Sequence, residues 1–408
     1  MKSVNQYVMK DSGVQWIGQV PKHWEVCHLK RVVTINNGSD YKHCQVEPCI
    51  YPVIGSGGIF TYASSYIYDG EVLLLGRKGT IDKPMYYNGK FWTVDTMFYA
   101  VSNGNAICKY LYYHSMLIPF ARFSTSTALP SMTQTDLKNN LICLPPLSEQ
   151  RAIADWLDAK CADIDAAIEL QQRMIDKLKA YKTAVIHQAV TKGLDKNAKL
   201  KDSGVQWIGE VPEHWGIVNI GSLYNQRNEK VSDKDYKPLS VTKKGILPQL
   251  ETAAKTDNGD NRKLVRKNDF AINSRSDRKG SCGISDYDGS VSLINIVLYP
   301  IQEIENRYYN WLFHSPEFAE EFYRLGHGIV ADLWTTRWSE MKGMRILLPP
   351  TLTEQRAIAD WLDAKCADID ATIALKEQKQ EKLKAYKKTI IFEYVTGKKQ
   401  VANINKQL

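Results

Sequence analysis

The chain has 408 residues, 44% hydrophobic and 24% charged, with a formal net charge of +8. That length holds about two to three ordinary domains, and the composition is globular rather than disordered or low-complexity. No run of eighteen apolar residues exists, which excludes a membrane-spanning helix, and the net charge does not by itself name a polyanion as partner. The opening MKSVNQYVMKDSG lacks the apolar region of a secretory leader. Eight cysteines, at 27, 44, 49, 108, 143, 161, 282 and 366, include no CxxC pair. They argue against a disulfide scaffold or structural zinc and fit a reducing cytoplasm.

In chain order, residues 1–24 form an N-terminal segment ending in KDSGVQWIGQVPKHW (10–24). Residues 25–143 read as a mixed α/β domain. YPVIGSGGIFTY, YIYDGEVLLLG and FWTVDTMFYAV are strand-like and separated by glycine-bearing turns. Residues 144–200 enter through LPPLS and continue as one long helix. At 201–215 the first segment returns as KDSGVQWIGEVPEHW, differing at two of fifteen positions. Residues 216–347 are a second mixed domain, almost unrelated to the first, with KLVRKNDFAINS and GSVSLINIVLYP as strands. Residues 348–408 enter through LPPTLT and repeat the helix, EQRAIADWLDAKCADIDA standing unchanged at 149–166 and 354–371.

The double prolines stop the helix from extending upstream. Ser148 and Thr353 stand where N-caps are expected, each followed by a glutamate that the helix dipole favours. Leu157, Cys161, Ile164, Ile168, Ile175, Leu178 and Val185 recur at heptad spacing, as do Leu362, Cys366, Ile369, Ile373, Leu383 and Ile390. Gln171, Lys182, Lys376, Gln380 and Lys387 interrupt these seams. From 149 to 191 the helix is roughly 65 Å long, more than one small core buries. The expected fold is therefore α/β (α+β): two mixed domains joined by two long antiparallel coiled-coil helices. Chain order makes the arrangement pseudo-two-fold and pseudo-circular, with the end of the second helix beside the N-terminal segment.

Segments held identical beside segments free to diverge imply one job done twice and two jobs done differently. The divergent domains carry basic loops at matching places, GRKGTID (76–82) and NSRSDRKGSCG (273–283), each after an apolar strand. Lysine and arginine neutralise phosphates, and arginine grips guanine bidentately. Candidate DNA contacts are Arg77, Lys78, Lys83, Ser124, Thr125 and Ser126 in the first domain. Lys243, Lys244, Arg275, Ser276, Arg278, Lys279 and Arg337 are those of the second. Arg275 and Arg278 have their counterparts in Arg77 and Lys78. Trp156 and Trp361, at equal places in the helices, and Trp16 and Trp207, in the short repeats, are candidate anchors for a protein partner.

Catalytic motifs are missing. There is no phosphate-binding GxxxxGK[ST], and Gly55–Ser56–Gly57–Gly58 reads as a turn. Asp158 and Lys160 lie inside a helix without a second suitably placed carboxylate. His23 and His214 have no ligand-spaced neighbours and read as packing or interface residues. A fused methyltransferase or nuclease is one alternative, against which these absences count. A coiled-coil adaptor that never meets DNA is another.

The KDSGVQWIGxVPxHW segment, the LPP entry and the EQRAIADWLDAK helix, all duplicated around two variable domains, resemble the DNA-specificity subunit of type I restriction–modification systems. The resemblance covers essentially the whole chain. It implies a non-catalytic subunit with two target recognition domains, each reading half of a bipartite, asymmetric site in double-stranded DNA. It also implies that the repeated regions bind two methyltransferase subunits, which bring S-adenosylmethionine. Restriction subunits, using ATP and Mg, then join. No cofactor or metal is expected in this chain.

Overall fold

The computed structural model describes residues 7–46, 50–120, 130–249, 259–328 and 334–401. The chain divides into two units, residues 1–171 with 378–408, and residues 172–377.

In the first unit the short repeat folds as a hairpin, β1 (Met9–Asp11) antiparallel to β2 (Gln19–Pro21). The two ends of the divergent segment are then tied together, β3 (Glu25–His28) pairing antiparallel with β10 (Leu141–Leu144). Between them lie β4 (Val33–Asn37), β5 (Tyr51–Gly55), β6 (Gly58–Ala63), β7 (Tyr68–Gly76), β8 (Met85–Thr93) and β9 (Met97–Ser102). They form one six-stranded sheet in the order β4-β9-β7-β8-β5-β6, antiparallel except for the β5–β8 pair. Helix α1 (Cys108–Ser115) follows the sheet, α2 (Gln134–Asn139) precedes β10, and α3 (Leu147–Lys192) is the long helix. A capping box in which Thr133 and Asp136 satisfy each other's backbone N–H starts α2. The core joins Trp24 of the repeat, Leu75 of the sheet, Tyr110 of α1 and Leu157 of α3.

The second unit repeats this frame around different contents. Strands β11 (Leu200–Asp202) and β12 (Glu210–Pro212) make the short-repeat hairpin, and β13 (Gly216–Asn219) pairs with β23 (Arg345–Leu348) to close the divergent segment. Inside, β14 (Tyr224–Gln226), β19 (Phe270–Asn273), β20 (Cys282–Ile284) and β22 (Asn295–Pro300) form a sheet in the order β14-β22-β19-β20. A second sheet holds β15 (Lys230–Val231), β18 (Arg262–Val265) and β21 (Gly289–Val291), and β16 (Leu239–Thr242) with β17 (Gly245–Pro248) makes a hairpin. Helices α4 (Ile220–Leu223), α5 (Asn306–Phe313), α6 (Pro316–Arg324), α7 (Trp338–Met341) and the long α8 (Leu352–Val395) complete it. Its core packs Trp215, Phe270, Tyr308, Phe313 and Leu362.

Both units contain parts of α3 and α8, and in each the two helices run antiparallel. In the first unit, Trp156 of α3 stacks on Tyr394 of α8. Asp165 meets Lys387 at 2.6 Å, and Gln380 Nε2 donates to the Ile168 carbonyl at 3.1 Å. In the second, Asp370 meets Lys182 at 2.6 Å, and Ile175 packs with Ile369 and Ile373. Lys182 and Lys387, two of the lysines that break the heptad, thus reach equivalent aspartates across the seam. Such partners fix register, though exposed pairs of this kind contribute under about 1 kcal/mol each. The seam residues predicted from spacing are buried or partly buried.

The caps differ from expectation. Both helices begin earlier, at Leu147 and Leu352, so Ser148 and Thr353 lie inside the first turn. In α8 the Thr351 hydroxyl accepts from the Glu354 N–H at 3.2 Å. In α3 the matching residue is Pro146, whose carbonyl takes the Gln150 N–H at 2.9 Å. Proline fixes a helix-compatible φ and has no N–H to leave unpaired, so it starts a helix without a side-chain cap.

The expected meeting of the second helix with the N-terminal segment is present in the first unit. Lys398 Nζ donates to the Ile17 carbonyl at 2.7 Å, and a β-carbon at Gly397 would lie 2.3 Å from Pro21. The second unit has the same junction, where Gly193 after α3 faces the Trp215 ring.

Candidate nucleic-acid interface

The identical helix starts hold the divergent domains in place. Glu149, buried at the head of α3, accepts from Trp24 Nε1 at 2.9 Å and from the Tyr7 hydroxyl at 2.8 Å. His23 Nε2 lies 2.7 Å from its other oxygen. Glu354 repeats this with Trp215 Nε1 at 2.9 Å and His214 at 3.2 Å. The histidines that lack metal-ligand spacing are therefore partners of a carboxylate. The next residue reaches the divergent domain: Gln150 Oε1 accepts the Ile107 N–H just before α1, and Gln355 Oε1 accepts the Glu305 N–H just before α5.

Two turns further on, Asp158 accepts from the Tyr113 hydroxyl at 2.6 Å and pairs with Lys109 at 2.6 Å. Asp363 accepts from Trp311 Nε1 at 2.8 Å and pairs with Arg307 at 2.9 Å. Tyr110 donates to the Val395 carbonyl and Tyr308 to the Val190 carbonyl. Two domains of unrelated sequence thus dock through one constellation, a cation, a tyrosine and a second aromatic on a short helix. Asp158, which resembles half of a nuclease motif in sequence, is a docking residue in the structure.

The basic loops hang from this frame and are built alike. After β7, the Arg77 carbonyl accepts the Met132 N–H and the Gly79 N–H reaches the Pro130 carbonyl, with Lys78 bridged to Ser131. After β19, the Ser274 carbonyl accepts the Thr336 N–H and the Ser276 N–H reaches the Trp334 carbonyl, with Arg275 bridged to Thr335. This register makes Lys78, not Arg77, the counterpart of Arg275. Gly76 lets the first loop turn sharply, because a β-carbon there would lie 2.4 Å from the Thr80 carbonyl oxygen.

In the first unit, Arg77 and Lys78 line a cleft of about 370 Å³ with Asn37, Phe98, Thr133 and Gln134. Arg77 is half-buried, its Nη1 donating to the Asp95 carbonyl at 3.2 Å and its guanidinium lying over the Phe98 ring. Lys78 is exposed. Lys83 lies elsewhere, on a groove lined by Met116, Asp165, Ile168 and Lys387. Ser124, Thr125 and Ser126 lie outside the described residues.

In the second unit, Asp277 stands between Arg275 at 3.3 Å and Arg278 at 3.8 Å, all three partly or largely exposed. Lys279 pairs with Glu320, and Ser276 shares the short turn of this loop. Lys243 and Lys244 are exposed at the tip of the β16–β17 hairpin. That tip rests on β20, a β-carbon at Gly283 lying 2.8 Å from Gly245 Cα, so it stands beside the arginine loop. Arg337 is exposed at the start of α7, its N–H donating to Glu340 at 2.8 Å.

Two cations of β18 turn inward. Arg262 donates to the Ser290 hydroxyl at 2.8 Å and Lys263 to the Asn295 carbonyl at 2.6 Å, both buried. Desolvation holds the Lys263 ammonium below the ordinary lysine range.

The tryptophans divide by surroundings. Trp16 packs edge-on against His114 and Trp207 against Phe318. Trp156 is stacked on Tyr394 at 3.9 Å. The position matching Tyr394 in α3 is Ala189, and Trp361 is 40% exposed. The sequence reading missed Asn37 and Gln134, which no local pattern marks, and the docking residues. For the latter a signal was present: Lys-Tyr-x-x-Tyr at 109–113 answers Arg-Tyr-x-x-Trp at 307–311. Among the described residues, no His, Cys, Asp and Glu group could hold a metal ion and no helix is long and apolar enough to cross a membrane.

Residues 21–180 match the family described as type I restriction modification DNA specificity domain. The chain is 27% identical to the MjaVIII type I restriction enzyme specificity subunit of Methanocaldococcus jannaschii, covering 95% of each. It is also 27% identical to that organism's MjaX specificity subunit, over 94% of this chain and 96% of the relative. Its fold matches a chain solved in work on complex assembly and conformational transition of the type I R-M system. The TM-score is 0.69 at 16% identity, over 93% of this chain and 99% of that one. The duplicated frame, the two divergent domains it holds and these likenesses agree: residues 21–180 match a type I restriction modification DNA specificity domain, and almost the whole chain is similar to type I restriction enzyme specificity subunits.

Proposed function

We propose that this chain is the non-catalytic, DNA-reading subunit of a type I restriction–modification complex. Each divergent domain reads one half of a bipartite, asymmetric site in double-stranded DNA. The repeated helical regions bind two methyltransferase subunits, with Trp361, Trp156, Trp16 and Trp207 among the anchors. S-adenosylmethionine enters with those subunits, and ATP and Mg with restriction subunits where they join, while this chain holds no cofactor. The free thiols of the described cysteines fit a reducing cytoplasm.

The observation that carries this reading is the matched pair of basic loops. Identical backbone pairing presents Lys78 in one domain and Arg275 in the other, on frames built from the repeated segments. A common scaffold with different loop chemistry is what two readers of two sequences require. Phosphate contact by either loop releases counterions, and base contact adds discrimination.

Lys78→Ala, Arg275→Ala and Arg278→Ala complexes, titrated on cognate and single-mismatch duplexes at two salt concentrations, test it. Loss of a guanine contact costs about 1–3 kcal/mol and relaxes one base position. Loss of a phosphate contact weakens all duplexes alike and lowers the salt slope by about one. Wild-type affinity and wild-type slope in all three variants would remove these loops from the DNA face.

A further inference from the structure

The edge of the first unit's sheet carries an exposed apolar strip. Strand β6 ends the sheet order, and on it Ile59 is 53% and Phe60 54% exposed. Exposed apolar edge strands invite misassociation, and proteins ordinarily blunt them with charge or cover them. At the other end of β5, Lys90 lies 4.8 Å from the Tyr66 ring and 5.8 Å from that of Tyr51, so a cation stands against the same hairpin.

The strip adjoins the basic cleft. Asn37 lines that cleft, and its neighbour Gly38 is pressed against Val94, where a β-carbon would lie 2.0 Å from the carbonyl oxygen. A β-carbon at Gly55, the end of β5, would lie 3.8 Å from the Val94 side chain and 3.2 Å from the Phe60 ring. On the other side of Val94, the Asp95 carbonyl receives Arg77. The β5–β6 turn thus stands one side chain away from the Arg77–Lys78 loop. The turn itself is bare: β-carbons at Gly57 and Gly58 would meet nothing within 4 Å, and Gly58 holds φ +105°, so its backbone can enter a groove. The second unit also sets a hairpin beside its arginine loop, but tips it with Lys243 and Lys244.

We propose that the β5–β6 hairpin is a second DNA-contacting element of the first domain, laying Ile59 and Phe60 against the bases next to the phosphates held by Lys78. Apolar side chains meet the thymine methyl in the major groove or wedge between base steps, and the neighbouring cations give the polyanion its place. This deepens the DNA-reading function and rests on it. The hairpins of the two units then differ in chemistry: apolar contact with bases in one, lysine contact with phosphate in the other.

The test uses the full chain assembled with its methyltransferase subunits and a duplex carrying the site found by methylation mapping. Ile59→Ser and Phe60→Ser are each expected to weaken cognate binding at least about tenfold. The salt slope is expected to stay at the wild-type value, because an apolar contact releases no counterions. Binding to an unrelated duplex should not change, and Phe60→Leu should keep most of the cognate affinity. Phe60 also packs edge-on against Tyr41, so a lowered melting temperature in Phe60→Ser leaves Ile59→Ser to decide. Wild-type cognate affinity in Ile59→Ser, a fallen salt slope, or equal loss on both duplexes would overturn the proposal. Loss of subunit assembly on a sizing column would also overturn it, assigning the strip to a protein. Failure of the wild-type complex to bind DNA at all would sink the underlying reading instead.

Discussion

His114, buried in the first unit, shows how one residue ties the fold to pH. Its Nε2 accepts the Cys143 N–H at 3.0 Å on β10, and Trp16 packs on its ring. Desolvation pushes its imidazole down to about 4 from an ordinary value near 6.5. The folded state therefore keeps the ring neutral while the unfolded chain takes up a proton. The stability this contributes is full above about pH 6.5 and is lost progressively as pH falls toward 4, by about 3 kcal/mol in all. Urea midpoints of wild type and His114→Gln compared at pH 7.5 and 4.5 check this. The glutamine variant, which keeps an acceptor but does not titrate, should lose less stability on acidification. An equal loss in both would place the acid sensitivity elsewhere.

At the scale of the element, the heads of α3 and α8 act as brackets. Glu149 takes three partners from the N-terminal segment, whereas Glu354 takes two. Leaving a buried indole N–H unpaired costs about 1–3 kcal/mol. Glu149→Ala is therefore expected to destabilise more than Glu354→Ala, by thermal or urea unfolding, and the reverse order would contradict the geometry. Asp158 and Asp363 make the second contact of each bracket, and each sits in one unit only. Hydrogen exchange measured by mass spectrometry should quicken across 108–115 in Asp158→Ala and across 306–313 in Asp363→Ala. Faster exchange in both helices from either single change would mean that docking is not local.

For the whole molecule, these shared docking contacts make the divergent segments replaceable. Residues 25–143 meet the frame through Lys109, Tyr110 and Tyr113, and through the β3–β10 pair that closes the segment. A relative's segment that keeps a cation, a tyrosine and a second aromatic at those places meets the same brackets. Such a replacement is expected to change one half of the methylated site and leave the other intact. Methylation mapping of a host carrying the hybrid reads the result directly, and alteration of both halves would mean that the domains do not read independently.

Much of the architecture is legible in the sequence because it is encoded locally or by repetition. The heptad positions from Leu157 to Val185 declare a helix with an apolar seam at i→i+3 and i→i+4 distances, and the exact repeat from Glu149 to Ala166 declares a second. Lys182 and Lys387 mark where that seam needs partners, and equal spacing leads to Asp370 and Asp165. The loops after β7 and β19 announce themselves by glycine and basic residues following an apolar strand. What the tertiary structure alone decided rests on residues far apart in the chain. Lys263 and Arg278 are both cations with basic neighbours in sequence, yet Lys263 is buried on a carbonyl because β18 lies in the middle of its sheet. Trp156 and Trp361 are identical in local sequence, yet one is stacked because residue 394 is tyrosine and the other is left open because residue 189 is alanine. Periodicity sets which face of an element is apolar; only the packing of distant elements sets what that face meets, and so which side chains remain free to bind.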